Sequence, residues 1–380
     1  LKNIIDSPWG NANINSETLT KGNLMTKMFQ MILMLALTAL CSQAFAEDGV
    51  TVNGFVDTQL EMNRGAVEID NSGSEVAGSN NRFLVHQGAV YFGKKSDVGE
   101  FFLDIPFTQN AAAGTLTLAS GLAQAYVVRR AAGYNFTIGQ FDTIYKHEAN
   151  DTVDLFYARH GAVFDIMPVT HTGLTVNKQF GDITGYLLVG NSDQAGVQAD
   201  NEDMEMGLKV GYNTDMIRTS LAVLSTNRSG ACNFDDCEGS MLIDFIIGKD
   251  FGPLSVDVAF DQITNPGGES KVSVTEDRDP ITGILLDVKY AMNDESKFGL
   301  RYEQVTAKDW STGTDPAVGG AQTNVNDTSF SKITLGYTHA CDKMLTLKAN
   351  VSSNTLKFSE AATAEDPTWV DGQIAAVFKF

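Results

Sequence analysis

The sequence predicts an all-β fold, a transmembrane antiparallel β-barrel of about 16 strands with short periplasmic turns and long external loops. Three observations carry that prediction. Sixteen short stretches between Val50 and Phe380 place apolar residues at every second position. The connections joining them are alternately tight and long. The last stretch puts Val370, Gly372, Ile374, Ala376, Phe378 and Phe380 on one face and Asp371, Gln373 and Lys379 on the other, and it stops on an aromatic residue. A soluble sheet turns its apolar face into its own core, whereas a chain closed on itself in lipid turns that face outward and keeps polar side chains toward the lumen. A terminal Phe after such a strand resembles the insertion signal of bacterial outer-membrane barrels. Phe378 and Phe380 are its expected carriers and the barrel-assembly machinery its expected reader.

Residues 1–24 fit no export pattern. Lys21-Gly22 before Met25 reads as the translation of a purine-rich ribosome-binding site, so this stretch is expected to be a mis-called upstream extension. Residues 25–46 then form a signal peptide: Met25, Thr26 and Lys27 open it, Met31 to Leu40 give the apolar centre, and Ala44-Phe45-Ala46 is a small-x-small cleavage site. Lipidation at Cys41 is disfavoured by Leu40 before it. The mature chain is expected to begin at Glu47, and residues 47–380 to form the barrel.

With 43% hydrophobic and 19% charged residues, the chain has the composition of one large domain or two ordinary ones. No later stretch approaches the roughly 20 apolar residues of a membrane helix. Removing residues 1–46 takes away three Lys and two acids and shifts the net charge from -20 to -21, which argues against a nucleic-acid partner.

Along the chain, the first strand sets Val50, Val52, Val56, Leu60 and Met62 against Thr51, Asn53, Asp57, Gln59 and Glu61. Such alternation marks a strand with two unlike faces. It recurs as Met204, Met206, Leu208, Val210 and Tyr212 against Glu205, Lys209 and Asn213, and as Leu254, Val256, Val258 and Phe260 against Ser255, Asp257 and Asp261. Ile284, Leu286, Val288, Tyr290 and Met292 oppose Asp287 and Lys289. Between residues 123 and 142 the alternation blurs.

Tight connections at Gly181-Asp182, Asn213 to Met216, Gly248 to Pro253, Asn293 to Lys297 and Ala340 to Met344 are rich in Gly, Asn, Asp and Pro and fit hairpin turns. Long loops are expected near 64–81, 109–122, 143–169, 191–203, 226–240, 264–282, 307–328 and 358–369. The alternation of lengths puts both termini in the periplasm. Tyr212, Tyr290 and Tyr337 fall where strands meet periplasmic turns, and Trp310 and Trp369 near outer strand ends, as interface belts are populated. A soluble sandwich or propeller would need an apolar interior and would not sort loop lengths this way.

The loop at 143–169 is third among the external loops, the position that folds into the lumen in sixteen-stranded general porins. Leu155-Phe156-Tyr157 and Ala162 to Met167 supply apolar anchors, while Lys146, His147, Glu148, Asp151, Asp154, Arg159 and Asp165 supply charge of both signs. An inward fold accounts for both, and an external loop packed on its neighbours is the alternative. In the same region Ile138-Gly139-Gln140-Phe141, Glu148, Arg159 and Pro168-Val169-Thr170-His171-Thr172-Gly173-Leu174 resemble the OmpL-like β-barrel porin group, also called porin-2. The chain departs from that group in carrying Lys146-His147 where Gly usually precedes the Glu. The resemblance implies a passive diffusion channel of the outer membrane.

Strand parity assigns Asp57, Glu61, Asp104, Glu205, Asp257, Asp261, Asp287 and Glu303 to the lumen, balanced by Lys209, Arg218, Lys289, Arg301, Lys332, Lys348 and Arg129. Glu148, Asp151, Asp154 and Arg159 are therefore expected to form a constriction facing Asp57, Glu61, Arg82, Arg129, Asp257, Arg301 and Glu303. Most of the excess negative charge then falls on external loops, as in Asp200, Glu202 and Asp203 or Glu276, Asp277 and Asp279. A mild cation preference follows, the competing reading being that these acids share divalent cations with lipopolysaccharide.

Cys232 and Cys237 enclose four residues in the fifth external loop and are expected to form a small disulfide ring. Cys341 lies in a periplasmic turn across the hydrocarbon core of about 30 Å, too far to bridge. A metal site at these thiols lacks paired His, so no metal and no cofactor is expected. Nucleophile, zinc and phosphate-loop motifs are absent, and the five histidines are scattered, so catalysis is not expected. The function read from the chain is passive diffusion of small hydrophilic solutes and ions through a polar lumen. Outer-membrane lipid and lipopolysaccharide are the surroundings, and a homotrimer is allowed by fold analogy. The alternative is a surface interaction or structural barrel with a plugged lumen.

Overall fold

The computed structural model describes residues 49–69, 75–97, 99–109, 115–191, 204–226, 240–264, 280–307, 328–358 and 368–380. Its wall has sixteen strands. The first eight are β1 (Thr51–Ile69), β2 (Glu75–Ser96), β3 (Gly99–Gln109), β4 (Gln124–Ala131), β5 (Tyr134–Asp142), β6 (Thr170–Phe180), β7 (Ile183–Asn191) and β8 (Met204–Asn213). They are followed by β9 (Arg218–Thr226), β10 (Ser240–Phe251), β11 (Leu254–Thr264), β12 (Ile281–Ala291), β13 (Ser296–Ala307), β14 (Thr328–Ala340), β15 (Leu345–Phe358) and β16 (Thr368–Lys379). A further three-residue strand, Leu116–Leu118, pairs with the outer end of β3 above β4.

Each strand pairs antiparallel with its neighbours in sequence, and β1 pairs with β16 from Phe55 opposite Lys379 to Arg64 opposite Val370. Gly54 and Phe380 exchange both backbone hydrogen bonds at 3.0 and 3.1 Å, sealing the seam at its periplasmic end. Closure leaves no free edge, which a sheet in hydrocarbon requires because no water is there to satisfy edge N–H and C=O groups.

Outward side chains are apolar and exposed, as at Met206, Leu208, Leu335 and Ile374. Inward ones are polar and buried, as at Asp57, Glu61, Arg301 and Glu303. Tyr212, Tyr290 and Tyr337 share the outward parity near the periplasmic turns. Trp369 differs from expectation. It lies at the outer end of β16 but on the parity of Asp371, with its ring 5.9 Å from Phe330 inside the barrel. Trp310, Cys232, Cys237, the acidic loop residues named above and the expected signal peptide lie outside the described residues.

Turns and loops alternate in length as the sequence predicts, with one difference. The β1–β2 ladder continues past an irregularity at Asn63/Ala66 to Ile69 opposite Glu75, so the first loop is shorter than 64–81. The alternation in this extension is short, with only Val67 and Ile69 set about Glu68. At the β4–β5 turn Ala132 takes φ 52° and Gly133 φ 77°. Two-residue hairpins favour this geometry because its twist matches the strands, but a Cβ at positive φ costs roughly 1–2 kcal/mol. Ala132→Gly is accordingly expected to stabilise the barrel by about 0.5–1 kcal/mol net of the added chain entropy, measured by urea unfolding in lipid vesicles. A loss of stability would contradict it.

Candidate functional site

The loop at 143–169 lies inside the barrel. Its entry and exit are joined by Thr143 N–H donating to the Val169 carbonyl at 3.1 Å. The Thr143 hydroxyl meets His171 Nε2 at 2.8 Å, and the other ring nitrogen of His171 meets Glu205 on β8, fixing the root to two wall strands.

Inward-facing glycines give the loop room. Gly299 and Gly336 sit opposite each other on β13 and β14, and a Cβ on either would collide with the rings of Phe156 and Tyr157. Gly207 does the same for Tyr145, and Gly283 for Val163 and Ile166. Around these sockets an apolar cluster joins Tyr145, Val163, Ile166 and Met167 to Leu188, Leu224, Leu242, Ile281, Leu285 and Val305 of the wall. Fully burying one such side chain contributes about 1.5–3 kcal/mol, which offsets part of the roughly 1–2 kcal/mol per residue that ordering the segment costs. One arc of the inner wall is thus apolar, where the sequence suggests a polar lumen throughout.

Polar contacts hold the rest. Arg301 is 1% exposed and lies between Glu148 at 2.5 Å and Glu303 at 3.0 Å, with its guanidinium 4.3 Å from the centre of the Tyr157 ring. Tyr157 donates to Asp287 at 2.8 Å. The Val163 N–H donates to Glu303 at 3.2 Å and the Gly161 N–H to Glu148 at 2.6 Å. Lys348 donates to the carbonyls of Thr152 and Leu155, Thr338 to that of Phe156, Lys209 to that of Ile144, and Gln59 to that of Ala158. Asp151 accepts from Tyr91 at 2.7 Å and Gln87 at 3.1 Å. Glu61 meets both Arg82, at 2.6 Å, and Arg159.

Charges in the loop are tuned by these neighbours. Burial pushes the Glu148 carboxyl up, but Arg301, His160, the Gly161 N–H and His147 outweigh it and hold it below the usual range. Asp151 moves the other way: burial raises it, the Tyr91 hydroxyl opposes, and Asp142 and Asp154 add to the rise. Burial lowers Lys146 against the pull of Asp142.

The expected constriction residues therefore divide. Glu148, Asp151 and Arg159 meet the wall, and Arg82, Glu61, Arg301 and Glu303 are among the groups they gather round. Asp57 is buried beneath, accepting from Gln59 at 2.9 Å. Asp154 is exposed. Asp257 pairs with Arg218 at 3.0 Å within the wall and not with the loop. Arg129 is a correction: it shares the outward parity of Val127, and Arg130 takes the lumen side beside Glu100 at 3.4 Å. A two-residue turn follows, so a single-position parity error goes unseen in a stretch with blurred alternation. Facing acids and bases are thus bonded partners holding the loop. Sequence reasoning missed Gln87 and Tyr91 because the β1–β2 register shifts between Asp57 and Thr58, beside His86. It also missed Asp244, whose neighbours Leu242 and Ile246 are apolar on the same inner face.

No curated protein sequence matches the chain. Several solved barrels share the fold. The outer membrane channel DcaP of Acinetobacter baumannii is 12% identical with a TM-score of 0.61, over 88% of this chain and 99% of that one. The anion-selective porin of Comamonas acidovorans is 14% identical with a TM-score of 0.55, over 87% and 99%. OmpT of Vibrio cholerae, in a trimer form, is 13% identical with a TM-score of 0.52, over 87% and 99%. A family model matches residues 49–380, the whole described barrel, and the chain belongs to the family it defines, "Putative beta-barrel porin-2, OmpL-like".

Proposed function

We propose that this outer-membrane porin passes small hydrophilic solutes by diffusion past the inserted third loop, with a mild preference for cations. The observation supporting it is the loop itself, held by wall residues on opposite sides of the barrel and therefore set across the path of any solute. The cation preference rests on the excess of acids, both in the expected external loops and on the inner wall, where Asp104, Asp244 and Asp261 have no ion pair among the described residues. The Comamonas acidovorans porin is named as anion-selective, so the barrel alone does not set the sign. Reversal potentials in planar bilayers are expected to favour potassium over chloride at low salt and to converge as salt rises and screening shortens below about 8 Å. A chloride preference would overturn it.

The number of wall strands the loop reaches also favours a second reading, a barrel whose lumen is nearly plugged and whose outer loops bind partners. Uptake of a small sugar into liposomes decides between them, because a plug passes none. Export by residues 25–46, pairing of Cys232 with Cys237, contact with lipopolysaccharide and assembly as a homotrimer belong to the same proposal.

A further inference from the structure

Four rings line up on the inner face of consecutive strands. Phe55 on β1, Tyr91 on β2, Phe102 on β3 and Tyr126 on β4 have centroids 6.2, 5.8 and 5.2 Å apart in succession. All lie within a few residues of the periplasmic strand ends, and the inserted loop reaches the row at Tyr91, whose hydroxyl donates to Asp151 at 2.7 Å. Phe55 is buried against the seam, while the other three keep part of their surface open.

Asp104 stands directly opposite Tyr91 on one side and Gln124 on the other. Its side chain is 1% exposed, and neither carboxylate oxygen has a hydrogen-bond partner among the described residues. The nearby acids are accounted for: Asp142 is bonded to Lys146 at 2.5 Å, and Asp151 accepts from Tyr91 and Gln87. Asp104 has no ion pair among the described residues. An acid set under rings and away from water gains a counter-charge when a cation sits on the ring faces, and ring quadrupole and carboxylate field then add. A neutral sugar would find the rings but would bring no counter-charge to Asp104.

We infer that the Tyr91–Phe102–Tyr126 row with Asp104 is a binding subsite in the periplasmic half of the pore for an ammonium ion carrying an apolar body. This deepens the diffusion reading and rests on it. Benzyltrimethylammonium is the probe. In planar bilayers it should block potassium current through the wild-type barrel in a concentration-dependent way, and Asp104→Asn and Phe102→Leu should each raise the half-blocking concentration about five- to tenfold. Heat-modifiable gel mobility confirms that each variant is a folded barrel, and Tyr126→Leu substitutes for either that is not. Absence of block while current flows, block unchanged in the variants, or equal block by maltotriose would overturn the subsite. Tyrosine fluorescence titration of detergent-solubilised protein with the same ion separates the two readings: saturable binding that weakens in the variants supports the subsite even where the barrel carries no current, a result that would sink only the diffusion reading.

Discussion

Arg301→Met is expected to release the third loop from the wall and to raise both mean conductance and its fluctuation. Arg301 is the single cation between two acids that are themselves almost wholly buried, Glu148 at 2.5 Å and Glu303 at 3.0 Å. Methionine keeps much of the volume but takes from the two carboxylates the one cation that both of them meet. Breaking a buried pair in this way costs about 3–5 kcal/mol, far more than losing an exposed pair such as Lys95 with Glu100. The cost falls on the docked loop, because the loop supplies Glu148 and Tyr157, whereas Glu303 is part of the wall ladder. Undocking is therefore cheaper than unfolding the barrel. Limited proteolysis between residues 148 and 160 should become fast in Arg301→Met, while heat-modifiable mobility stays that of a folded barrel. The triple change Arg301→Met, Glu148→Leu and Glu303→Leu should recover most of the resistance, since an apolar replacement of a whole buried ion cluster is often neutral. Resistance equal to wild type in Arg301→Met alone would show that apolar packing holds the loop without this cluster.

The contrast between wall and loop explains what the chain discloses. Met204 to Tyr212 can be read as a strand with a lipid face because hydrocarbon outside and a wet or polar interior impose opposite demands on alternate residues. Where the interior is not wet the signal weakens. Leu187-Leu188 and Leu242-Ile243 put apolar groups on both faces, since Leu188 and Leu242 pack on the inserted loop, and the period of two vanishes there. Anchors such as Phe156 and Tyr157 are recognisable as unusual for a solvated segment. Their sockets, Gly299 and Gly336, are recognisable only in pairs, because a glycine in a strand has many uses and its meaning comes from the residue 130 or more positions away that approaches it. Glu148 and Arg301 are likewise predictable as lumen charges but not as partners.

Deleting residues 148–160 should raise single-channel conductance severalfold, and Gly336→Leu should raise it by a similar route without shortening the chain. The deletion removes Phe156 and Tyr157, and with them the groups that Lys348, Thr338 and Asp287 hold. Gly336→Leu fills the socket from the wall side, where a Cβ alone already collides with the Tyr157 ring, so the loop tip has to lift away from its seat. Neither change touches the seam at Gly54 and Phe380 or the outward face, and both variants should insert as folded barrels. The two differ in stability. The deletion cuts away the loop from Glu148 to His160 and loosens Val163 and Ile166 from Leu285 and Val305, and each apolar side chain returned to water forfeits up to about 1.5–3 kcal/mol. Gly336→Leu leaves most of that cluster in place, so its thermal midpoint should lie between those of the wild type and the deletion. Conductance up with stability down is the signature of a loop that both narrows the lumen and braces the wall; unchanged conductance in both variants would leave the loop as a brace and put the narrowest point elsewhere.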